Sequence, residues 1–192
     1  MSGGHAMSRA QRYGMVIDPA RCIHCGACIV ACKAENAVPD GHSRNRLDER
    51  EYGAYPAIRV VMAPSQCMQC EDAPCVRVCP TGASYRDANG IVRIDSDDCI
   101  GCRYCIEACP YGARYFDEAS GTVDKCTFCN HRVAAGLEPA CVATCPTRTR
   151  VFGDLDDPTS EVARLVASGR VEVKLPQAGT QPKVYYLRGD VS

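Results

Sequence analysis

The stretch CIGCRYCIEACP, residues 99–110, decides how this chain folds. Its four cysteines are separated by two, two and three residues, and a proline follows the last one. A structural zinc ion is usually held by two pairs of cysteines with a longer gap between the pairs. Three thiolates from one tight loop instead suit three corners of an iron–sulfur cube. The spacing therefore favours a cluster over a lone metal ion.

All sixteen cysteines of the 192-residue chain belong to such sets of four. Group one is Cys22, Cys25, Cys28 and Cys32; group two is Cys67, Cys70, Cys75 and Cys79; group three is Cys99, Cys102, Cys105 and Cys109; group four is Cys126, Cys129, Cys141 and Cys145. Cysteines spaced this closely cannot join distant segments, which argues against a disulfide scaffold. Groups one and three have the spacing of bacterial ferredoxins, whose fourth cysteine binds the neighbouring cluster. We therefore predict four [4Fe–4S] clusters, with no cysteine left over.

An internal duplication relates these groups. Residues 17–32, IDPARCIHCGACIVAC, align without a gap to residues 94–109, IDSDDCIGCRYCIEAC. Group two and group four both end in C-V-x-x-C-P-T, so the long gap of group four is an insertion of seven residues. The predicted fold is α+β, a duplicated ferredoxin-like fold with loop insertions and a C-terminal extension. The inserted segment NHRVAAGLEPA should contain one or two helical turns and is a candidate docking surface.

Composition excludes several functions. The 22 basic and 23 acidic side chains nearly cancel, without the basic patch of a nucleic-acid-binding protein. No apolar run approaches the roughly 18 residues of a membrane helix, and residues 1–14 lack the apolar core of a signal peptide. Met7 offers an alternative start, which would make residues 1–6 foreign to the native chain.

Local patterns predict the remaining elements. Strands are expected at 13–18, 57–62, 91–95, 150–154 and 183–187, and a helix capped by Thr159 or Ser160 with Glu161 follows Pro158. Short helices should carry each fourth cysteine, with prolines ending three of them; the first helix, with Lys33 in place of proline, could continue towards Pro39. The charged stretch 41–53 is expected to be a solvated loop, with a partner contact as the alternative.

Some other side chains lie in or beside the cysteine loops. We expect His24 to be exposed or to support a ligand rather than to bind metal, because the cysteine supply is complete. Lys125, Arg103 and Tyr104 are candidates for tuning cluster potential, although an ordinary solvated side chain is the simpler expectation for each. No nucleotide-binding glycine motif and no open metal site is visible, so the chain is predicted to transfer electrons and not to be an enzyme by itself.

The four groups, together with ACKAEN (31–36), CPTGASY (79–85), CPYGARY (109–115) and KCTFCNHR (125–132), resemble the iron–sulfur subunit of polysulfide, thiosulfate and dimethyl sulfoxide reductases, most of all that of polysulfide reductase. The resemblance covers residues 13 to about 187. It implies that groups one and four share two clusters and that groups two and three share two. The implied ligand sets are site 1 (Cys22, Cys25, Cys28, Cys145), site 2 (Cys32, Cys126, Cys129, Cys141), site 3 (Cys67, Cys70, Cys75, Cys109) and site 4 (Cys79, Cys99, Cys102, Cys105).

The resemblance also implies partners: a molybdopterin-containing catalytic subunit and an integral membrane subunit that reacts with quinone. The chain would then lie at the cytoplasmic membrane within a complex, on a side that the sequence leaves open. Residues 13–60 and 110–150 would form the first dicluster module, 61–109 the second, and 151–192 a C-terminal extension. Two alternatives stay open: a subunit of a formate dehydrogenase or hydrogenase, and a redox sensor or structural protein.

Overall fold

The computed structural model describes residues 11–188. The alternative start at Met7, residues 1–6 and the last four residues of the predicted extension lie outside this range. The strands are β1 (Tyr13–Ile17), β2 (Asn45–Tyr52), β3 (Arg59–Gln66), β4 (Ser84–Arg86), β5 (Val92–Ile94), β6 (Arg114–Asp117), β7 (Thr122–Lys125), β8 (Arg150–Asp154), β9 (Val171–Glu172) and β10 (Val184–Leu187). The α-helices are α1 (Ala27–Glu35), α2 (Pro74–Arg77), α3 (Tyr104–Glu107), α4 (Asn130–Ala134), α5 (Ala140–Ala143) and α6 (Glu161–Ala167).

A four-stranded sheet joins the beginning of the described chain to its end. Its strand order is β8-β1-β10-β9, with β1 parallel to β10 and antiparallel to β8. The apolar run Met15, Val16 and Ile17 in β1 is buried, as expected for the middle strand of a covered sheet. The predicted strands near residues 13, 150 and 183 are confirmed, and all three lie in this one sheet.

Three antiparallel hairpins complete the strands: β2–β3, β4–β5 and β6–β7. The expectation of a solvated loop at 41–53 was wrong for most of its length, because β2 pairs with β3 from Asn45 opposite Gln66 to Tyr52 opposite Arg59. The sequence NRLDEREY has no clear period-two apolar pattern, so the strand is defined by its partner rather than by its own side chains.

The short helices differ from the prediction in one respect. Helices α2, α3 and α5 carry the third cysteine of their groups, and the fourth lies two residues beyond the helix end. The prediction was wrong there because proline disfavours the helical conformation in the residue before it. In group one, which has no proline, Cys32 does lie inside α1, and the helix ends at Glu35, short of Pro39, where the Asn36 side chain caps the Cys32 carbonyl at 2.9 Å.

Two further predictions are confirmed. Ser160 caps α6 by accepting a hydrogen bond from the Ala163 amide at 3.1 Å, and the inserted segment of group four contains the short helix α4. Thiols make up a large share of the buried core, where Cys67, Cys75 and Cys126 pack beside Met68 and Phe128. Within residues 11–188, every helix is too short or too polar to cross a bilayer.

Candidate iron–sulfur sites

The cysteines of three predicted sites each line one cavity. The site 2 cysteines, Cys32, Cys126, Cys129 and Cys141, line one cavity. The site 4 cysteines, Cys79, Cys99, Cys102 and Cys105, line a second, and the site 1 cysteines, Cys22, Cys25, Cys28 and Cys145, line a third. In the described part of the chain, none of these three cavities is lined by a cysteine from another predicted set.

The site 3 cysteines also lie close to one another. Burial raises the pKa of the Cys70 thiol to about 12, and the charges of Cys67, Cys75 and Cys109 act in the same direction. Three of the four are buried, and Cys109 is partly buried. The structure therefore brings together all four cysteines of this set as well.

The loops that present these cysteines need unusual backbone angles. Gly101, between Cys99 and Cys102, has φ +67°, and a Cβ atom there would lie 2.6 Å from the Gly121 carbonyl oxygen. The residue that matches Gly101 in group one is His24, with φ +57°, and the N-cap residues Gly26 of α1 and Arg103 of α3 also match, with φ +73° and +65°. The two loops therefore make the same sharp turns and present successive thiols to the same volume, and at Gly101 the close carbonyl leaves room only for glycine.

The four sites follow one another in the order 1, 2, 3, 4. Arg150 lines the cavities of both site 1 and site 2. Gln69, which lies between two site 3 cysteines in the sequence, donates to the carbonyl of Cys126 in site 2 at 2.8 Å. Arg114 contacts Cys75 of site 3 and lines the cavity of site 4. Sites 1 and 4 therefore lie at opposite ends of a row, with sites 2 and 3 between them.

The ends of the row reach the surface and the middle does not. Cys25 in site 1 and Cys102 in site 4 are exposed, whereas all four site 2 cysteines are buried. The isoleucine two residues before each exposed cysteine is also exposed, Ile23 at 63 % and Ile100 at 67 %. The duplication has thus placed an exposed cysteine and an exposed isoleucine at each end of the row.

Two buried arginines lie between sites. Arg150 is 2 % exposed and lines the cavities of both site 1 and site 2. Its Nη2 lies 3.7 Å from the Cys28 sulfur, and its Nη1 donates to Gln66 Oε1 at 2.7 Å. Arg114, at 6 %, donates from Nη2 to the Cys75 sulfur of site 3 and to Ser84 Oγ, both at 2.8 Å, and also lines the site 4 cavity.

Lys125 is buried between site 2 and site 3, at 1 % exposure. Its ammonium donates to the Cys126 carbonyl at 2.9 Å and to the Val92 carbonyl. Burial lowers its pKa, which the charge of Cys67 partly offsets. Gln69, also fully buried, donates to the same Cys126 carbonyl at 2.8 Å. The expectation that Lys125 is an ordinary solvated side chain was therefore wrong.

The other singled-out side chains stay at the surface or hold loops in place. His24 Nε2 lies 3.2 Å from Glu49 Oε1. The Arg103 guanidinium carbon lies 3.8 Å from the centre of the Phe116 ring. Tyr104 is exposed. His131 and Arg132 in the inserted segment both pair with Glu35 of α1, at 2.8 and 3.0 Å, so the insertion is fastened to the helix of group one.

The donor sets fit clusters of cubic shape. Across residues 11–188, no three His, Cys, Asp or Glu side chains converge on a point that a single ion would occupy. The four thiols of each cavity instead surround a volume. Among the described residues, Arg150 Nε and Arg114 Nη1 are buried without a hydrogen-bond partner, and both side chains line these cavities. Soft thiolates and unused cationic donors are what an anionic iron–sulfur cluster requires.

Sequence reasoning missed Arg114, Arg150, Gln66 and Gln69. One signal was available: Arg114 and Arg150 each come five residues after the fourth cysteine of their group, in CPYGAR and CPTRTR. Nothing local marks the two glutamines, because their partners come from segments 57 and 84 residues away.

Comparisons with known proteins indicate the same class of cofactor. Two family profiles, both described as a 4Fe-4S dicluster domain, match residues 12–83 and 58–155. The chain is 43 % identical to an iron–sulfur subunit assigned to a dimethyl sulfoxide reductase of Halobacterium salinarum, over 94 % of this chain and 80 % of the relative. It is 38 % identical to the arsenate respiratory reductase iron–sulfur subunit ArrB of a Shewanella species, over 92 % and 96 %. It is 42 % identical to a subunit of the tetrathionate reductase of Salmonella typhimurium, over 95 % and 75 %.

Proposed function

The chain belongs to the 4Fe-4S dicluster family of reductase iron–sulfur subunits, and from this we propose that it relays electrons between a catalytic subunit and a membrane subunit of a respiratory oxidoreductase. It carries four [4Fe–4S] clusters and is an electron carrier rather than the catalytic subunit. The observation that carries the proposal is the row of four cysteine sites with both ends at the surface.

The proposed ligands are the four sets predicted from the sequence. Sites 1, 2 and 4 are supported by cavities that each have one complete set of four cysteines in their walls. Site 3 is supported by the mutual proximity of its four thiols. On this assignment residues 13–60 and 110–150 form one dicluster module, residues 61–109 form the other, and residues 151–192 form an extension whose strand β10 lies beside β1.

Each bound cluster supplies a centre that takes up and releases one electron. The chain holds the inner two sites away from water, since their thiols are almost all buried. It exposes one cysteine at each end, so that a partner can approach the outer sites. An electron carrier needs this arrangement, because its centres must be accessible to partners at both ends and shielded between them.

The proposed partners are a molybdopterin-containing catalytic subunit and an integral membrane subunit that reacts with quinone. Relatives that are named as subunits of dimethyl sulfoxide, arsenate and tetrathionate reductases support a catalytic partner. The exposed Ile23 and Ile100 provide an apolar contact beside each outer site, which suits one partner at each end. The complex would place this chain at the cytoplasmic membrane without inserting it.

Metal analysis tests the cluster assignment directly. Anaerobically purified and reconstituted protein should hold about sixteen iron and sixteen sulfide per chain, four of each for every cluster. A plateau far below that number would contradict four complete sites. Purification of the tagged chain from its native host should bring down a large catalytic subunit and a membrane protein, and isolation of the chain alone would argue against the relay.

A cysteine exchange tests the pairing. Cys145→Ser should perturb the cluster of site 1, whose other ligands are 117 or more residues earlier in the sequence, and leave site 2 unchanged. Cys141→Ser, in the same motif, is the matched control and should perturb site 2. Electron paramagnetic resonance spectra that show both variants affecting the same cluster would refute the proposed sets.

A further inference from the structure

Each of the two proposed cluster pairs contains one buried arginine that lies between its members. Arg150 lines the cavities of sites 1 and 2. Arg114 bonds the Cys75 sulfur of site 3 at 2.8 Å and lines the cavity of site 4. Both are the first residue of a strand, β8 and β6, so their backbones are fixed by ladder hydrogen bonds.

Within residues 11–188, no Asp or Glu oxygen lies within ion-pair distance of the Arg114 or Arg150 guanidinium, whereas Arg44, also close to site 2, holds Asp124 at 2.7 Å. A buried charge without a partner is strongly unfavourable, and arginine remains protonated in proteins. In the described part of the chain, the negative groups that Arg114 and Arg150 contact are the cysteine thiolates and whatever these thiolates hold.

Both guanidinium groups contact proposed ligands directly: Arg150 Nη2 lies 3.7 Å from the Cys28 sulfur, and Arg114 Nη2 lies 2.8 Å from the Cys75 sulfur. Among residues 11–188, Arg150 Nε and Arg114 Nη1 are also buried without a hydrogen-bond partner.

We propose that Arg150 and Arg114 set the reduction potentials of the two cluster pairs, each as a fixed positive charge shared by two adjacent sites. This inference rests on the proposed function and its ligand sets. An electron that enters a site adds negative charge, and a nearby cation stabilises the reduced form and raises the potential. Because one arginine serves both members of a pair, it raises both potentials together.

The test is a redox titration of the reconstituted full-length chain, followed by electron paramagnetic resonance. Arg150→Met should lower two of the four midpoint potentials and Arg114→Met the other two. At a fixed solution potential, the oxidised-to-reduced ratio of the affected pair should rise by about tenfold, which is 59 mV for a one-electron couple. Arg→Lys at either position keeps the charge, so the potentials should stay close to their wild-type values.

The matched control is the double variant Arg44→Met with Asp124→Asn. It removes a guanidinium near site 2 together with its carboxylate, so the net charge is unchanged and the potentials should stay near those of the wild type. Arg→Gln provides a second neutral variant at each site. Loss of iron in both neutral variants would mean that the arginines only build the sites and would overturn the proposal.

Failure of this inference is distinguishable from failure of the proposed function. A wild-type chain with about sixteen iron, and potentials that do not move in the neutral variants, overturns the arginine proposal alone. A wild-type chain that cannot be loaded with four clusters contradicts the proposed function itself. A shift confined to one cluster of a pair refutes the sharing of each charge by two sites.

Discussion

The ion pair between Arg44 and Asp124 should fasten the segment that connects α1 to β2 onto strand β7. Arg44 Nε and Nη2 bond the two carboxylate oxygens of Asp124 at 2.7 and 2.8 Å, and its Nη1 bonds Asn36 at 2.7 Å. Tyr115 also donates to Asp124. The pair therefore links β7, one residue before Lys125, to the segment that follows α1.

The expected magnitude follows from its burial. The two side chains are 15 % and 26 % exposed. Breaking a buried pair costs about 3–5 kcal/mol, whereas an exposed pair contributes about 0.2–1 kcal/mol. Bidentate geometry and partial burial place this pair between those limits, so we expect a coupling free energy of about 2 kcal/mol. For a chain of this length that corresponds to about 4–8 °C in the melting temperature.

A double-mutant cycle measures the coupling. Arg44→Met, Asp124→Asn and the double variant would be compared with wild type in thermal melts of the loaded protein at one scan rate, because proteins with bound metal centres often unfold irreversibly. The control cycle uses Arg77 and Asp72, whose side chains are 62 % and 46 % exposed. A departure from additivity below about 2 °C in melting temperature at Arg44–Asp124, or one equal to that of the exposed control, would refute the reasoning.

Lys125→Met should lower the potentials of sites 2 and 3 by about 60 mV, a tenfold change in the ratio of oxidised to reduced cluster, because its ammonium is buried between the two sites; unchanged potentials in a redox titration would contradict this. Removal of iron by a chelator should weaken packing in the core, because thiols make up much of it. The binding of a dye to newly exposed apolar surface should then rise strongly, whereas the far-UV circular dichroism signal should change little. Glu35→Gln should speed amide exchange at residues 130–137, because Glu35 holds this segment through His131 and Arg132. The hydrogen bond from His131 lowers the pKa of Glu35, so the stabilisation by the Glu35 carboxylate is fully present above the ordinary carboxyl pKa and is lost as pH falls through the lowered pKa. Below that pH, variant and wild type should exchange at the same rate.

The cysteine chemistry could be read from local sequence, and the surrounding electrostatics could not. The spacing of group three predicts a cluster because the peptide geometry between cysteines two residues apart is a local property. The positions of Arg150 and Gln66 depend on contacts across 84 residues, which no local pattern encodes. The β2 strand was missed for a related reason, since its charged sequence becomes a strand only beside β3.

By itself, then, the sequence determined the cofactor class, the number of clusters and the duplicated α+β fold, because each depends on covalent spacing and on repetition along the chain. Only the tertiary structure decided that Cys25 and Cys102 reach the surface, that the cysteines of the proposed sites 2 and 3 are almost all buried, and that Arg114, Lys125 and Arg150 are buried beside them. The physical reason is that burial and charge proximity are properties of packing. Residues far apart in sequence become buried next to one another only when the chain has folded around the thiols.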